Sequence, residues 1–491
     1  MADLLLALDS GTTSTRALAF APDGVIVAMA QRPLTQHWPA SGQVEHDASE
    51  IRDLTLDALA ELVETVGVER FAAIGIANQR ETVVFWSGAT GQPLAPAIVW
   101  QDRRTADRME RLRAAGHEPR VQALTGLLLD PYFSASKIGW AIANWPAVAA
   151  AAESGDLRVG TVDSWLVWNL TGGERHLTDR SNASRTQLMD LSSGEWSDEM
   201  CTLFDVPRRA LPEITGTSGA IAMARVEGRT LPITGMAGDQ QAATIGQACL
   251  APGMIKCTYG TGIFMLAHAG DEPPHSRNRL LATYLCSDPL AYALEGSIFV
   301  GGNAVKWLRD GLGILDTAAE SAALAESVPD SGGVTLVPAF VGLGAPHWQP
   351  HARGLLTGIT AATSRAHIVR ATLEAMGQQT ADLLDAFAAD GVVPRNLRVD
   401  GGMTANDWLC QDIADATGLA VDRPRTVETT ALGAAMLAGV GAGIFPDLAA
   451  AAHTMVHADR RFTPRQTAEI RLSRRRQWAR AIAQTMAGIA P

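Results

Sequence analysis

Two loops rich in glycine and threonine, SGTTSTR at 10–16 and GTG at 260–262, stand in opposite halves of a chain of 491 residues, each between apolar runs too short for helices. In the first half the runs Leu4–Leu8, Ala17–Phe20 and Val25–Ala30 are separated by SGTTSTR and by the turn signal PDG. They predict a small antiparallel meander rather than one strand feeding a long helix. From about Ala251 the stretch MIKCTYGTGIFMLAHAG repeats strand, turn and strand, and YALEGSIFV supplies a further strand. The halves share an organisation, although GTTSTR and GTGIF are too short a match to establish a duplication by themselves. The first loop is not a Walker A loop, which needs GxxxxGK followed by Ser or Thr. Nor is it a dinucleotide fingerprint, since GxGxxG is absent after its strand.

Helical spacing covers Ser49–Val66, and FAAIGIANQ then reads as a buried strand ending on polar residues. ETVVFW and AIVWQDRR predict further strands of the same kind, followed by helices over Arg103–Ala114 and Ser136–Ala152. In the second half, helices are expected at Ala304–Asp310, at Ala366–Ala388 as the longest amphipathic segment, and from about Ala405 after the strand LRVDGG. The boundary falls just after GDQQAATIGQ, giving domains at 1–247 and 248–491. A chain of this length and 47% hydrophobic content is too large for one core.

Acidic residues outnumber basic ones by 52 to 40, with no long basic block, so nucleic acid and anionic membrane surfaces are disfavoured as partners. A small molecule held by local geometry is the expected ligand. The N-terminal stretch lacks the basic region of a secretory signal, and ALGAAMLAGVGAGIFPDLAAAA is interrupted by Pro446 and Asp447. A cytoplasmic protein with no stable membrane insertion is expected. Five cysteines without a CxxC pair suggest neither a disulfide framework nor a thiolate zinc site.

Several residues carry candidate chemistry. Asp9, at a strand end, can hold a divalent ion through water, and the N–H and hydroxyl groups of Gly11, Thr12 and Thr13 can wrap phosphate oxygens. The plain alternative is a polar hairpin loop. Arg80 and Glu81 offer a guanidinium and a carboxylate to adjacent hydroxyls, Tyr132 a phenol, while Trp100 and Phe264 can cover a carbon skeleton. Taken singly, these aromatics are more often core residues. Gly401 and Gly402 can let a flat group lie on the backbone beside Asn406, unless this is an ordinary strand-to-helix turn. Asp239, in GDQQ, is either a helix cap or a base.

The motifs DSGTTSTR, NQRET, IVWQDRR, TVDSWLVWNLTG, TDRSNASRT, GDQQAA, TYGTGIF, FVGLGAPHW, VDGGMTAND and TALGAAMLAG together resemble the FGGY carbohydrate kinases along essentially the full chain. Within that family the likeness is to the members that phosphorylate glycerol. The resemblance implies an α/β protein of two actin-like ATPase (ribonuclease H-like) domains flanking a deep catalytic cleft, which moves the γ-phosphoryl of MgATP to a polyol hydroxyl. It implies Asp239 as the base, and Arg80, Glu81, Trp100, Tyr132, Asp239, Gln240 and Phe264 around the acceptor. Thr12, Thr13, Ser14, Arg16, Thr261, Gly302, Lys306, Gly401 and Asn406 are implied for the nucleotide and its phosphates, and Asp9 and Asp239 for Mg2+. A homodimer or homotetramer is implied as well.

This chain departs from the glycerol-using pattern in places. Ser10 stands where Gln is common, and Lys306 where relatives carry Gln near the adenine. ARVEGRTLP retains Arg229 without the glycine run that binds fructose 1,6-bisphosphate in some bacterial relatives, so that inhibition is not expected. A kinase for erythritol, xylulose or a similar acceptor is the rival reading, and an actin-like ATP-binding module the non-enzymatic one.

Overall fold

The apolar run LLLALDS forms β1 (Leu4–Ser10), which is buried along its whole length because strands flank it and helices cover both faces. This computed structural model describes residues 3–488. β2 (Ser14–Phe20) and β3 (Ile26–Pro33) pair antiparallel in sequence, giving the expected meander. Helix α1 (Ala48–Val66) begins at Asp47, whose side chain accepts the N–H groups of Ser49 and Glu50, and buries Ile51, Thr55, Ala58, Leu59 and Leu62. These pack with Leu4, Leu6 and Leu8, the alternate residues of β1. β4 (Phe71–Asn78) then runs parallel to β1. After helix α2 (Ser134–Asn144), β5 (Ser218–Val226) and β6 (Arg229–Gly238) complete a six-stranded sheet of order β5-β6-β4-β1-β2-β3.

Three parallel strands of that sheet end together. Ser10 lies opposite Asn78, and Asn78 opposite Gly238. The segments that leave them, SGTT, QRE and DQQ, must therefore emerge side by side, at the strand ends where open α/β sheets hold ligands.

Helix α3 (Asp239–Gly246) carries the chain across to a second, seven-stranded sheet. Its strands are β7 (Met254–Tyr259), β8 (Ile263–Gly270), β9 (Leu281–Ser287) and β10 (Leu290–Ile298). After helix α4 (Arg365–Ala389) come β11 (Asn396–Asp400), helix α5 (Asp407–Thr417), β12 (Val421–Pro424), helix α6 (Thr429–Gly441) and β13 (Ala458–Phe462). The order β10-β8-β7-β11-β12-β13 matches β3-β2-β1-β4-β6-β5 strand for strand, with the same sequence of antiparallel and parallel pairings. Topology thus supplies the internal repeat that two short loops could not establish, and β9 is an addition at the second sheet's edge.

The alanine- and glycine-rich α6 is buried on nearly every side, as a helix apolar all round must be. It lies on the first sheet, where Leu432 and Leu437 pack with Leu5, Ala7 and Phe20, and it crosses α3. A Cβ at Gly433 would overlap the Ala242 carbonyl of α3, one at Gly246 the Thr429 carbonyl, and one at Gly75 the Ala434 carbonyl. Among the described residues no helix is long and apolar enough to cross a membrane.

Three expectations need correcting. The helix predicted over Ser136–Ala152 is two, α2 and Pro146–Ser154, because Pro146 cannot continue the first and starts the second. The strands from ETVVFW and AIVWQDRR lie outside the main sheet: Val84–Ser87 pairs with Leu157–Gly160, and Ala97–Ile98 with Glu45–His46. The segment Ala304–Asp310 is a short α-helical piece, Gly302–Lys306, that widens into a π turn at Trp307–Gly311.

Gly433→Ala should lower stability by about 1–3 kcal/mol, through overpacking at the α3–α6 crossing. Gly488→Ala, where the nearest listed atoms stand 3.7 Å from a built Cβ, should leave the melting temperature unchanged. Thermal melts of both variants check this.

Candidate active site

Asp239 opens α3 directly after β6, so it has the geometry of both a helix-start acid and a cleft residue. Its Oδ1 accepts the Gln240 N–H at 2.6 Å and faces Arg80 Nε at 3.2 Å. Oδ2 has no protein hydrogen bond among the described residues, and 30% of the side chain is open to the cleft. Desolvation pushes the carboxyl above its ordinary range, against the pull of Arg80 and Lys256. One oxygen is anchored and the other is free to take a proton.

Gln240 is oriented by its neighbour on the second sheet. Lys256 Nζ, on β7, donates to Gln240 Oε1 at 2.6 Å. An ammonium can only donate, so the Gln240 carbonyl is committed to Lys256 and its NH2 is what remains for a ligand.

Arg80 and Glu81 follow β4. Glu81 adopts a left-handed backbone, φ 61°, held by Ser134 Oγ donating to its carbonyl at 3.0 Å and by Arg185 Nε donating to its Oε1 at 2.6 Å. Its Oε2 has no protein partner among the described residues. Arg80 is buried and paired with Glu295 as well as Asp239. Burial alone would raise the Glu295 carboxyl, but Arg185 and Arg80 outweigh it and hold it down to about 2.

Trp100 and Tyr132 meet edge to face with centroids 5.6 Å apart. Together with Phe264 and Glu295 they line the inner part of a cavity of about 680 Å³ that continues outward past Phe299, Val341 and Trp348. The Trp100 indole donates to Thr12 Oγ1 at 2.9 Å, tying this aromatic wall to the first loop. Its backbone N–H donates to Thr82, which donates to Gln79, which donates to the Gly11 carbonyl. Lys137 holds the Tyr132 carbonyl at 2.8 Å, and burial lowers its ammonium to about 7.

In the first loop Gly11 N–H donates to the Ser14 carbonyl, Thr13 is exposed, and Ser14 Oγ accepts from Gln31 at 3.0 Å. Arg16, expected at the phosphates, is paired with Glu428 and lies 3.8 Å from Asp9. Burial, with further pushes from Asp239 and Glu428, raises Asp9 to about 7 despite Arg16. Asp9 and Asp239 are thus close enough to feel each other's charge. No group of three or more His, Cys, Asp or Glu among the described residues is arranged to hold a metal. Two cleft carboxylates without a third fit Mg2+, which keeps water and substrate oxygens as its other ligands.

Across the cleft, glycines let three loops touch. Gly302 N–H donates to the Gly260 carbonyl at 2.8 Å, Gly301 N–H donates to the Thr261 carbonyl at 2.9 Å, and a Cβ at Gly401 would meet the Tyr259 backbone. Thr261 is exposed beside them. Lys306 is exposed at the end of its short helix. Asn406 is the N-cap of α5: its Oδ1 accepts the Leu409 N–H at 3.0 Å, and its Nδ2 donates to Ser321 at 3.3 Å. The first loop, Arg80, Glu81, Trp100, Tyr132, Asp239, Gln240 and Phe264 form one neighbourhood, whereas Thr261, Gly302, Lys306, Gly401 and Asn406 line the second sheet's side.

Residues 4–246 match the N-terminal domain of the FGGY family of carbohydrate kinases, and residues 255–442 match its C-terminal domain. The chain belongs to this family. It is 52% identical over 485 residues to the glycerol kinase of Rhodospirillum rubrum, covering 97% of this chain and 98% of that one. Its fold is similar to a crystal structure of Plasmodium falciparum glycerol kinase with ADP, at TM-score 0.94 and 35% identity over 98% of each chain. It is also similar to the xylulose kinase of Rhodospirillum rubrum, at TM-score 0.89 and 26% identity over 99% of each. The two sheets flanking a cleft are the actin-like arrangement of FGGY kinases.

Glu295, Arg185 and Lys256 of this FGGY kinase were not singled out from sequence. The available signal was a charge inside an apolar strand, in YALEGSIFV and MIKCTY, and such a charge needs a buried partner. Because Asn406 caps α5, Asn406→Ala should cost about 1 kcal/mol of stability while Asn406→Asp keeps the cap. Chemical denaturation of the two variants measures the difference.

Proposed function

We propose that this chain phosphorylates glycerol to sn-glycerol 3-phosphate with MgATP. The observation that carries this is the 52% identity to a glycerol kinase over nearly all of both chains. It agrees with a site whose free groups match a vicinal polyol: two half-anchored carboxylates, Asp239 and Glu81, a Gln240 NH2 and an aromatic wall. We read residues 1–247 and 248–491 as the domains that carry the acceptor and the nucleotide, in keeping with the two large sheets.

In this reading Arg80, Glu81 and Gln240 hold the hydroxyls, and Trp100, Tyr132 and Phe264 cover the carbon skeleton. Asp239 Oδ2 takes the proton of the attacking hydroxyl as its oxygen bonds to the γ-phosphorus and the bond to the leaving ADP oxygen breaks. Asp9 and Asp239 would hold Mg2+, which when bound neutralises charge on the phosphate oxygens. Thr12, with its oxygen accepting from Trp100, turns its own O–H toward the phosphates, alongside Thr13 and Ser14. Arg16, restrained by Glu428, stands at their edge. Thr261, Gly302, Gly401, Lys306 and Asn406 bound the nucleotide side. Apposed walls exclude water, a competing acceptor.

The cavity is larger than three carbons require, so a longer polyol or ketose is the second reading. An ADP-release assay over glycerol, dihydroxyacetone, erythritol, xylitol, xylulose and ribulose decides between them, with highest kcat/KM for glycerol expected. Asp239→Asn should lower kcat by about 10²–10⁴-fold in a protein that still melts cooperatively. Activity within a few-fold of wild type would remove Asp239 as base. The cytoplasm is the compartment in keeping with MgATP use. A homodimer or homotetramer is expected, and sedimentation equilibrium measures it.

A further inference from the structure

Glu295 sits in the middle of β10 on the second sheet and is 1% exposed. A carboxylate buried there is costly unless paired. All its listed partners come from the other half of the chain. Oε2 accepts from Arg80 Nη1 at 2.6 Å, and Oε1 accepts from Arg80 Nη2 at 3.0 Å and from Arg185 Nη2 at 3.4 Å. Arg185 passes the link to Glu81. The cluster balances three cations, Arg80, Arg185 and Lys256, against three anions, Glu81, Asp239 and Glu295.

A donor count shows what Glu295 controls. Of the five N–H groups of Arg80, two go to Glu295, one goes to Gln241 Oε1 at 3.3 Å, and the Nε one faces Asp239. One Nη2 N–H is left. The guanidinium is planar and rigid, so a two-point grip by Glu295 sets the direction of that remaining donor.

We propose that Glu295 is a positioning residue for the acceptor: it aims the last free N–H of Arg80 and completes the acceptor site only while the second sheet is seated against the first. The inference rests on the kinase reading above. Acceptor affinity and apposition of the two sheets are then linked, since binding that needs the gripped Arg80 favours the seated arrangement. A merely structural ion pair would instead affect melting and leave the division between the two substrates untouched.

The test is steady-state kinetics of the full chain, wild type against Glu295→Gln and Glu295→Asp, with melting temperatures alongside. Wild-type turnover of glycerol comes first, because its absence overturns the kinase reading and the Glu295 role with it. With turnover present, Glu295→Gln should raise the KM for glycerol by about tenfold or more and leave the KM for ATP within about twofold. Glu295→Asp keeps the charge but shortens the reach, and should fall between. An unchanged glycerol KM in folded Glu295→Gln, or an equal rise in both KM values, overturns the proposal while the kinase reading stands. If Glu295→Gln does not fold, Glu295→Asp decides alone: a selective rise in glycerol KM supports the role, and wild-type values refute it.

Discussion

The parallel pairing of β1, β4 and β6 is the constraint on which the rest of the molecule depends. Once Ser10, Asn78 and Gly238 stand in one row, the backbone has placed a phosphate-sized loop, an Arg-Glu pair and a cleft aspartate at neighbouring strand ends. Side-chain chemistry only refines that placement. A slip of one residue in this register would turn Asp9 and its alternate neighbours onto the other face of the sheet. The unbroken burial of β1 guards against it, because Leu4, Leu6 and Leu8 pack with α1 while Leu5 and Ala7 pack with α6.

The second sheet repeats the same strand plan and uses it differently. At the ends of β7 and β11 the emerging segments are glycines that let loops touch, with few charged groups among them. The duplication therefore produced two similar frames, one whose strand ends carry acids and a guanidinium and one whose strand ends offer backbone. What the second frame does send across is charge from within its strands: Lys256 to Gln240 and Glu295 to Arg80.

That difference explains what could be read from sequence. Residues at strand ends lie in motifs bounded by turn signals, and Asp9, Arg80, Glu81, Trp100 and Asp239 were legible for that reason. Glu295 and Arg185 were not, since their importance comes from partners more than a hundred positions away. Local periodicity carries no information about such pairs. The two-domain plan, the meander and the long α4 were also legible, because each follows from local alternation or helical spacing. The side sheet holding Ala97–Ile98 was missed because a two-residue strand has no period to detect, and the break at Pro146 was overridden by alanine-rich spacing on both sides. Asn406 is a case where the plain reading of a strand-to-helix turn describes what its amide visibly does, as the cap of α5.

The glycine crossing of α3 and α6 has a consequence for how damage travels. Asp239 is the first residue of α3, and α3 is clamped against α6 wherever a Cβ would not fit. The position of the carboxylate is therefore surveyed by backbone contacts several turns away, in a helix that touches no ligand. Substitutions that thicken α6 should act like misalignments of an instrument: the protein keeps its binding groups, yet the acid that must face the acceptor oxygen points slightly elsewhere. The most permissive-looking stretch of the sequence, TALGAAMLAG, is by this measure among the least free to vary.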